Sequence, residues 1–403
     1  MAKKAYIGVN GVARKIKRGY IGIDGVARKI KRAYIGVGGV ARPCWSGGEL
    51  TYYGTITPLS SGVENLASAS IPGLALFACG QLATGTGTNR YSKAIDVYDK
   101  ALTRNSLNLS NMVVAGTQTT TSLTSREFLS GGSVNETAIF AGGSRGETYL
   151  NDVFSVNTSL TLSRVPSGQY LQNDSASHAV TPVGNHVLFA NGKGLDRNYY
   201  KTVEAYDASL TKKMCETTTN SEGFRAATTV DNRGVIAGGQ FGQVSYKYDK
   251  TIDVYDSSLT KITMGIELSV GRSNLSAKTI NGNALFVGGL YYSDRYNVVD
   301  SYNESLTHST AVEGLSVARC NIAAEVVEDL AVFIGGEDGS GRGLTAVDAY
   351  DKNLVKTVVP QLTEGRCGHA VAKTGDYLLV GGGRKGGATY TGYASDVDAF
   401  VYS

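Results

Sequence analysis

Four arginines fall at one register of this 403-residue chain. Arg126, Arg272, Arg319 and Arg366 each stand seventeen residues before the last glycine of an apolar run, and Arg225 stands three residues past the same register. A guanidinium is a planar fork that fits carboxylate, phosphate or sulfate groups, so several at one register imply a shared surface that recognises acidic groups. Three further copies carry Val63, Ser175 and Glu222 at this register, and His178 and His369 share the position of Arg225. Each arginine can equally tie its strand to a neighbouring carboxylate such as Asp253 or Asp300.

Tyrosine supplies the second kind of chemistry. GLDRNYYK (194–201) carries Arg197, Tyr199 and Tyr200, and LYYSDRY (290–296) carries Tyr291, Tyr292 and Tyr296. A tyrosine ring offers a flat apolar face with a polar tip, which suits stacking on sugar rings or peptide side chains. The four histidines (His178, His186, His308, His369) lack metal-ligand spacing, and the five cysteines (Cys44, Cys79, Cys215, Cys320, Cys367) include no Cys-x-x-Cys pair. The thiols read as free and mostly buried, in a protein made in a reducing cytoplasm. Neither a phosphate-cradling loop nor a nucleophile elbow stands out, so no metal, cofactor or catalytic residue is expected.

A long repeat must position these groups. Apolar runs ending in glycine recur as LALFACG (74–80), TAIFAGG (137–143), HVLFANG (186–192), RGVIAGG (233–239), NALFVGG (283–289), LAVFIGG (330–336) and YLLVGGG (377–383). Their final glycines are 63, 49, 47, 50, 47 and 47 residues apart. A period near fifty with four short strands per unit is a propeller signature, here with seven blades. Third strands carry Tyr98, Val156, Tyr206, Tyr255, Tyr302, Tyr350 and Phe400 at one position; a short acceptor such as Asp99 or Asn303 follows, and then a leucine (Leu102, Leu160, Leu210, Leu259, Leu306, Leu354) placed to fill the space between blades. The seventh unit stops short of a fourth strand, which residues 51–59 can supply to close the ring. In a four-stranded antiparallel blade, second-to-third loops and fourth-to-first connections emerge on one face and the tight turns on the other. The tyrosine- and arginine-rich stretches are second-to-third loops, so one face reads as functional.

The chain begins with a shorter repeat. Residues 4–45 are three 14-residue units centred on Asn10-Gly11, Asp24-Gly25 and Gly38-Gly39, dipeptides that favour two-residue hairpin turns. Residues 1–45 carry eleven Lys/Arg against Asp24 alone, a charge of +10; with +4 for the whole chain, residues 46–403 sum to 4 − 10 = −6. Lysine and arginine on exposed strands blunt edge pairing, and nucleic acid is not the expected partner. Hairpins this short are marginal alone in water, which points to packing against other chains of the same particle, a homotrimer first among them. Pro43-Cys44-Trp45 breaks the pattern, and residues 46–48 are read as a linker. Neither a membrane span nor a signal peptide is expected.

The glycine-pair and Tyr-Asp pattern is similar to the kelch family of β-propellers over about 355 residues. The family's tryptophan past the tyrosine is missing from every unit: Tyr255 is followed by Asp-Ser-Ser-Leu-Thr-Lys-Ile. Kelch proteins that bind peptides use arginine at this kind of position, so the resemblance implies a ligand face. The N-terminal units, about a tenth of the chain, resemble repeats at the start of phage and prophage tail-associated proteins of Gram-positive bacteria. The expectation is therefore an all-β, seven-bladed kelch-type propeller over residues 49–403 with a hairpin array over residues 1–45. Its expected function is non-enzymatic: a receptor- or glycan-binding module of a phage tail or similar particle, virion-associated and synthesised in the host cytoplasm. The ligand would be an acidic or sugar-bearing surface polymer, held by Arg126, Arg225, Arg272, Arg319, Arg366, Arg197, Tyr199, Tyr200, Tyr291, Tyr292 and Tyr296. An intracellular kelch scaffold for protein–protein interaction and a sialic-acid-mutarotase-like sugar enzyme are the alternatives.

Overall fold

The structure, a computed structural model, describes residues 49–402 apart from 118, 243–244, 310–311 and 387–391; within residues 1–46 it describes the backbone of six strands, and it leaves out the side chains at 88, 120 and 197. The chain from Leu50 onward is a seven-bladed β-propeller. Blade 5 shows the plan: Ser276–Ile280, Asn283–Val287, Val299–Tyr302 and His308–Ser309 lie side by side in chain order. First strands of successive blades touch one another in a closed circle, from Ala67–Ile71 round to Ala370–Thr374 and back, so they form the wall of a central channel.

Blade 2 departs from the plan. Met112–Val114 and Thr120–Thr121 are added outside Leu162–Arg164, and Val113 pairs in parallel with Ser163. This added hairpin accounts for the 63-residue first interval. Blade 7 takes its fourth strand from the front of the chain, where Leu50–Ile56 pairs with Val397–Tyr402.

The glycine pairs have a specific physical cause. Gly289 N–H donates to Arg319 O in the next blade at 2.9 Å, and equivalent bonds join Gly80 to Arg126, Gly143 to Ser175, Gly239 to Arg272, Gly336 to Arg366 and Gly383 to Val63. Gly288 sits at φ +63°, and a Cβ there would lie 2.6 Å from the same Arg319 carbonyl. Only glycine meets both demands easily, so the repeat marks where one blade's backbone is bonded to the next.

Side chains seal the rest of the seam. Tyr98, Tyr206, Tyr255 and Tyr350 are buried, and each hydroxyl donates at 2.8 Å to a backbone carbonyl of the connection entering its own blade (Thr57, Gln169, Glu216, Glu313). Leu102, Leu160, Leu210, Leu259, Leu306 and Leu354 lie in or against clusters that join successive blades, yet all take left-handed φ between +57° and +67°. That backbone disfavours an L-residue by roughly 1–2 kcal/mol. Fully burying a leucine, as at Leu210, Leu259 and Leu306, contributes about 1.5–3 kcal/mol, so burial wins there.

Near the N-terminus Tyr6–Val9 pairs with Val12–Lys15, Gly19–Ile23 with Val26–Ile30 and Arg32–Val37 with Val40–Ser46. Val9 faces Val12 and Ile7 faces Arg14, the register a two-residue turn requires. Pro43-Cys44-Trp45, where the sequence breaks the repeat, stays within the last strand, which continues to Ser46. A register shift between Ala33 and Tyr34 falls opposite the proline, which has no N–H to give. Gly47 and Gly48 of the expected linker lie outside the described residues. Among the described residues, no helix is long and apolar enough to cross a membrane.

Candidate functional site

The arginine register is inside the blades. Arg126, Arg272, Arg319 and Arg366 are fully buried and Arg225 nearly so. Each meets an aspartate of its own blade: Arg126–Asp152 and Arg225–Asp253 at 2.6 Å, and Arg272–Asp300, Arg319–Asp348 and Arg366–Asp398 at 2.8 Å. Arg272 also donates to Gly288 O and Phe286 O, and Arg366 to Gly382 O. Burial, the largest single influence, would raise the Asp253 and Asp348 carboxyls; Arg225 with Thr219 and Lys261, and Arg319 with Ser316 and Lys356, together more than offset it, and both lie below the usual carboxylate range. The expectation that these five guanidinia form a shared surface for acidic groups is therefore corrected. They bolt the entry of the first strand to the third.

The entries around Arg225 include an unusual acid. Glu222, fully buried and 3.0 Å from Arg225, is pushed up to about 9 by burial against the pull of the guanidinium. His178 and His369 fall in blades 3 and 7 at the position Arg225 holds in blade 4; burial pushes them down to about 4 and about 3. They pack against the glycine pairs, in the space that Leu66, Leu129, Leu275 and Ile322 take elsewhere.

The tyrosines divide. Tyr291 and Tyr292 point outward, 39% and 55% exposed, and form a cluster with Tyr248 of the neighbouring loop, with centroids 4.8–5.2 Å apart. Tyr292 begins the two-residue turn between Tyr291 and Asp294 at φ +52°, and its hydroxyl donates to Tyr246 O at 3.0 Å. Tyr199, Tyr200 and Tyr296 are half-buried: Tyr199 packs on Gly223 and accepts from Gln240 Nε2 at 3.2 Å, and Tyr200 packs on Gly194. The side chain of Arg197 lies outside the described residues.

Residue types and spacing did not single out the residues that line the channel mouth on this same face. Asn65, Phe128, Ser177, Phe224, Asn274, Asn321 and Gly368, one per blade, all take φ between +53° and +63°. Backbone bonds of 2.8–3.0 Å link neighbours in this circle, including Phe128 N–H to Asn65 O and Ser177 N–H to Phe128 O. They surround a cavity of about 740 Å³. Its polar lining includes Glu64, Glu337, Arg384 and His178. Arg384 reaches Glu337 at 3.3 Å, and Arg295 reaches it at 3.5 Å. Glu127, beside the mouth, accepts from Asn65 Nδ2 at 2.9 Å, and burial raises its carboxyl. The signal was present in sequence: two residues past the arginine register, asparagine and glycine dominate, and Phe128 and Phe224 break the column.

Among the described residues, no group of three or more His, Cys, Asp or Glu side chains is placed to hold a metal ion. No family model matches the chain, and no curated protein matches it.

Proposed function

We propose that the chain is a non-enzymatic binding module of kelch type, which engages a sugar-bearing surface polymer through its loop face and is held to a phage tail or similar particle by residues 1–45. The observation that carries this reading is the Tyr248–Tyr291–Tyr292 cluster. An aromatic residue at φ +52° that stays 55% exposed takes backbone strain without the return of burial. Such a cost persists where the side chain has work outside the fold. The rings present apolar faces with hydroxyl tips, the combination that stacks on sugar rings. The arginine register that suggested an acidic ligand is engaged in ion pairs, so sugar rather than acidity is the ligand feature the face supports. Repeats in residues 1–45 and their charge of +10 support an anchoring role for that segment.

A glycan array probed with the full chain tests the reading. The wild type should give hits that Tyr292→Gly combined with Tyr291→Ala removes, with the melting temperature unchanged or slightly higher. Hits that survive both substitutions would overturn it.

A further inference from the structure

We infer that the channel mouth is a second, deeper sugar subsite, built to take one neutral or amino-bearing pyranose ring against Phe128 and Phe224. This rests on the reading of the loop face as a sugar-binding surface. A cavity of about 740 Å³ lies in the usual range for a small-ligand pocket, about 300–1,000 Å³.

Strain singles out its walls. At the seven left-handed positions, asparagine and glycine serve four blades, and those residues tolerate this backbone. Phenylalanine does not, and Phe128 remains 40% exposed, so burial does not offset the strain. Phe224 is half-buried, with Lys193 Nζ 6.0 Å from its ring centroid. The two rings flank Ser177 on three successive blades, so one side of the mouth is aromatic.

The other side is polar. Going on around the circle come Asn274, whose amide donates to Asn321 Oδ1 at 2.8 Å, then Glu337, Arg384, Glu64 and Asn65. A flat apolar wall facing a set of acceptors and a guanidinium is the complement of a pyranose, which has a C–H face and hydroxyl edges. Among the lining charges, the carboxylates of Glu64 and Glu337 are matched by Arg384 and Lys278. That balance leaves no net positive charge to hold an anionic sugar, and the acceptors favour one rich in donors.

Saturation-transfer NMR and calorimetric titration of the full chain test this with methyl glucoside, methyl galactoside, glucosamine, N-acetylglucosamine and sialic acid as probes. At least one neutral or amino sugar should bind saturably, and sialic acid should bind more weakly than it. Phe128→Asn with Phe224→Asn, which installs the residue blades 1, 5 and 6 already use, should weaken binding at least tenfold while the melting temperature holds or rises. Tyr291→Ala with Tyr292→Gly should leave this monosaccharide binding intact. Four results would overturn the subsite: no saturable binding of any probe, preference for sialic acid, wild-type affinity in the double asparagine variant, or a loss of several degrees in its melting temperature. If the array hits persist while the monosaccharides fail, the loop-face reading stands and the subsite alone falls. If monosaccharides bind and the array hits ignore the tyrosines, the reverse holds.

Discussion

The two faces of the propeller are made by different means. On the turn face a side chain closes the backbone: Asp256 Oδ1 accepts the N–H groups of Ser258 and Thr260 at 2.9 Å, and Asp99, Asn157, Asp207, Asn303 and Asp351 repeat the geometry. The leucine that follows is committed to the seam between blades. On the loop face, backbone bonds from the glycine pairs and from the left-handed circle hold neighbouring blades together. Some loop side chains there, Tyr291 and Tyr292 among them, stay exposed. The contrast teaches that regularity marks where side chains build the fold, and irregularity marks where they are available to a ligand. The chain also enters the ring on the turn face, where Leu50 pairs with Tyr402 and Tyr402 N–H bonds to Asp376 O. The anchoring role proposed for residues 1–45 would leave the opposite face clear.

The largest effect should come from opening the ring. Removing residues 1–60 takes away Leu50–Ile56 and bares the edge of Val397–Tyr402. Calorimetry should show no cooperative transition, whereas removal of residues 1–48 should leave a propeller that melts like the parent. Light scattering of the two folded chains checks the anchor: the full chain should be trimeric and the shorter one monomeric. Equal melting of both truncations would show that the closing strand is dispensable.

Next in size are the buried ion pairs. Arg366→Ala leaves Asp398 buried without its guanidinium and should cost about 3–5 kcal/mol in denaturant unfolding. Pairing it with Asp398→Leu should recover part of that loss, since an uncompensated charge is worse than an apolar pair. A cost below about 1 kcal/mol, the range of an exposed pair, would contradict the burial.

Smaller effects come from protons. His178 and His369, held down to about 4 and about 3, stay neutral in the fold while the unfolded chain takes up protons below its ordinary 6.5. Their contribution to stability is present above pH 6.5 and lost as pH falls towards 3–4. Glu222, held up to about 9 from an ordinary 4.5, works the other way: its contribution is present below pH 4.5 and lost as pH rises to about 9. In stability measured against pH, His178→Leu should flatten the acid limb and Glu222→Gln the limb between 5 and 9. Unchanged slopes would show that these groups titrate normally.

Seven blades were legible because a backbone demand, the bond from Gly289 to Arg319 and its equivalents, leaves the same residue type at the same place each time. The arginines were legible as a register but not as a location, since spacing does not reveal which way a side chain turns. One clue existed: Asp253, Asp300, Asp348 and Asp398 stand two residues before the aromatic position of the third strand in the blades that carry those arginines. In blade 2 that place is Phe154, and Arg126 turns to Asp152 with its guanidinium 5.9 Å from the Phe154 ring centroid. The mouth was hidden for another reason. Left-handed backbone is a property of φ, and only afterwards does a phenylalanine in an asparagine and glycine column become conspicuous.

The division of labour between the faces is tested most directly by one paired measurement, glycan-array binding and melting temperature together. The account predicts that Tyr291→Ala with Tyr292→Gly abolishes the hits at unchanged melting temperature. It predicts the opposite for Asp256→Ala on the turn face, which should keep the hits and lose about 1 kcal/mol of stability with its two N–H partners. Stable, fully binding tyrosine variants beside an Asp256→Ala protein that folds normally but no longer binds would contradict it.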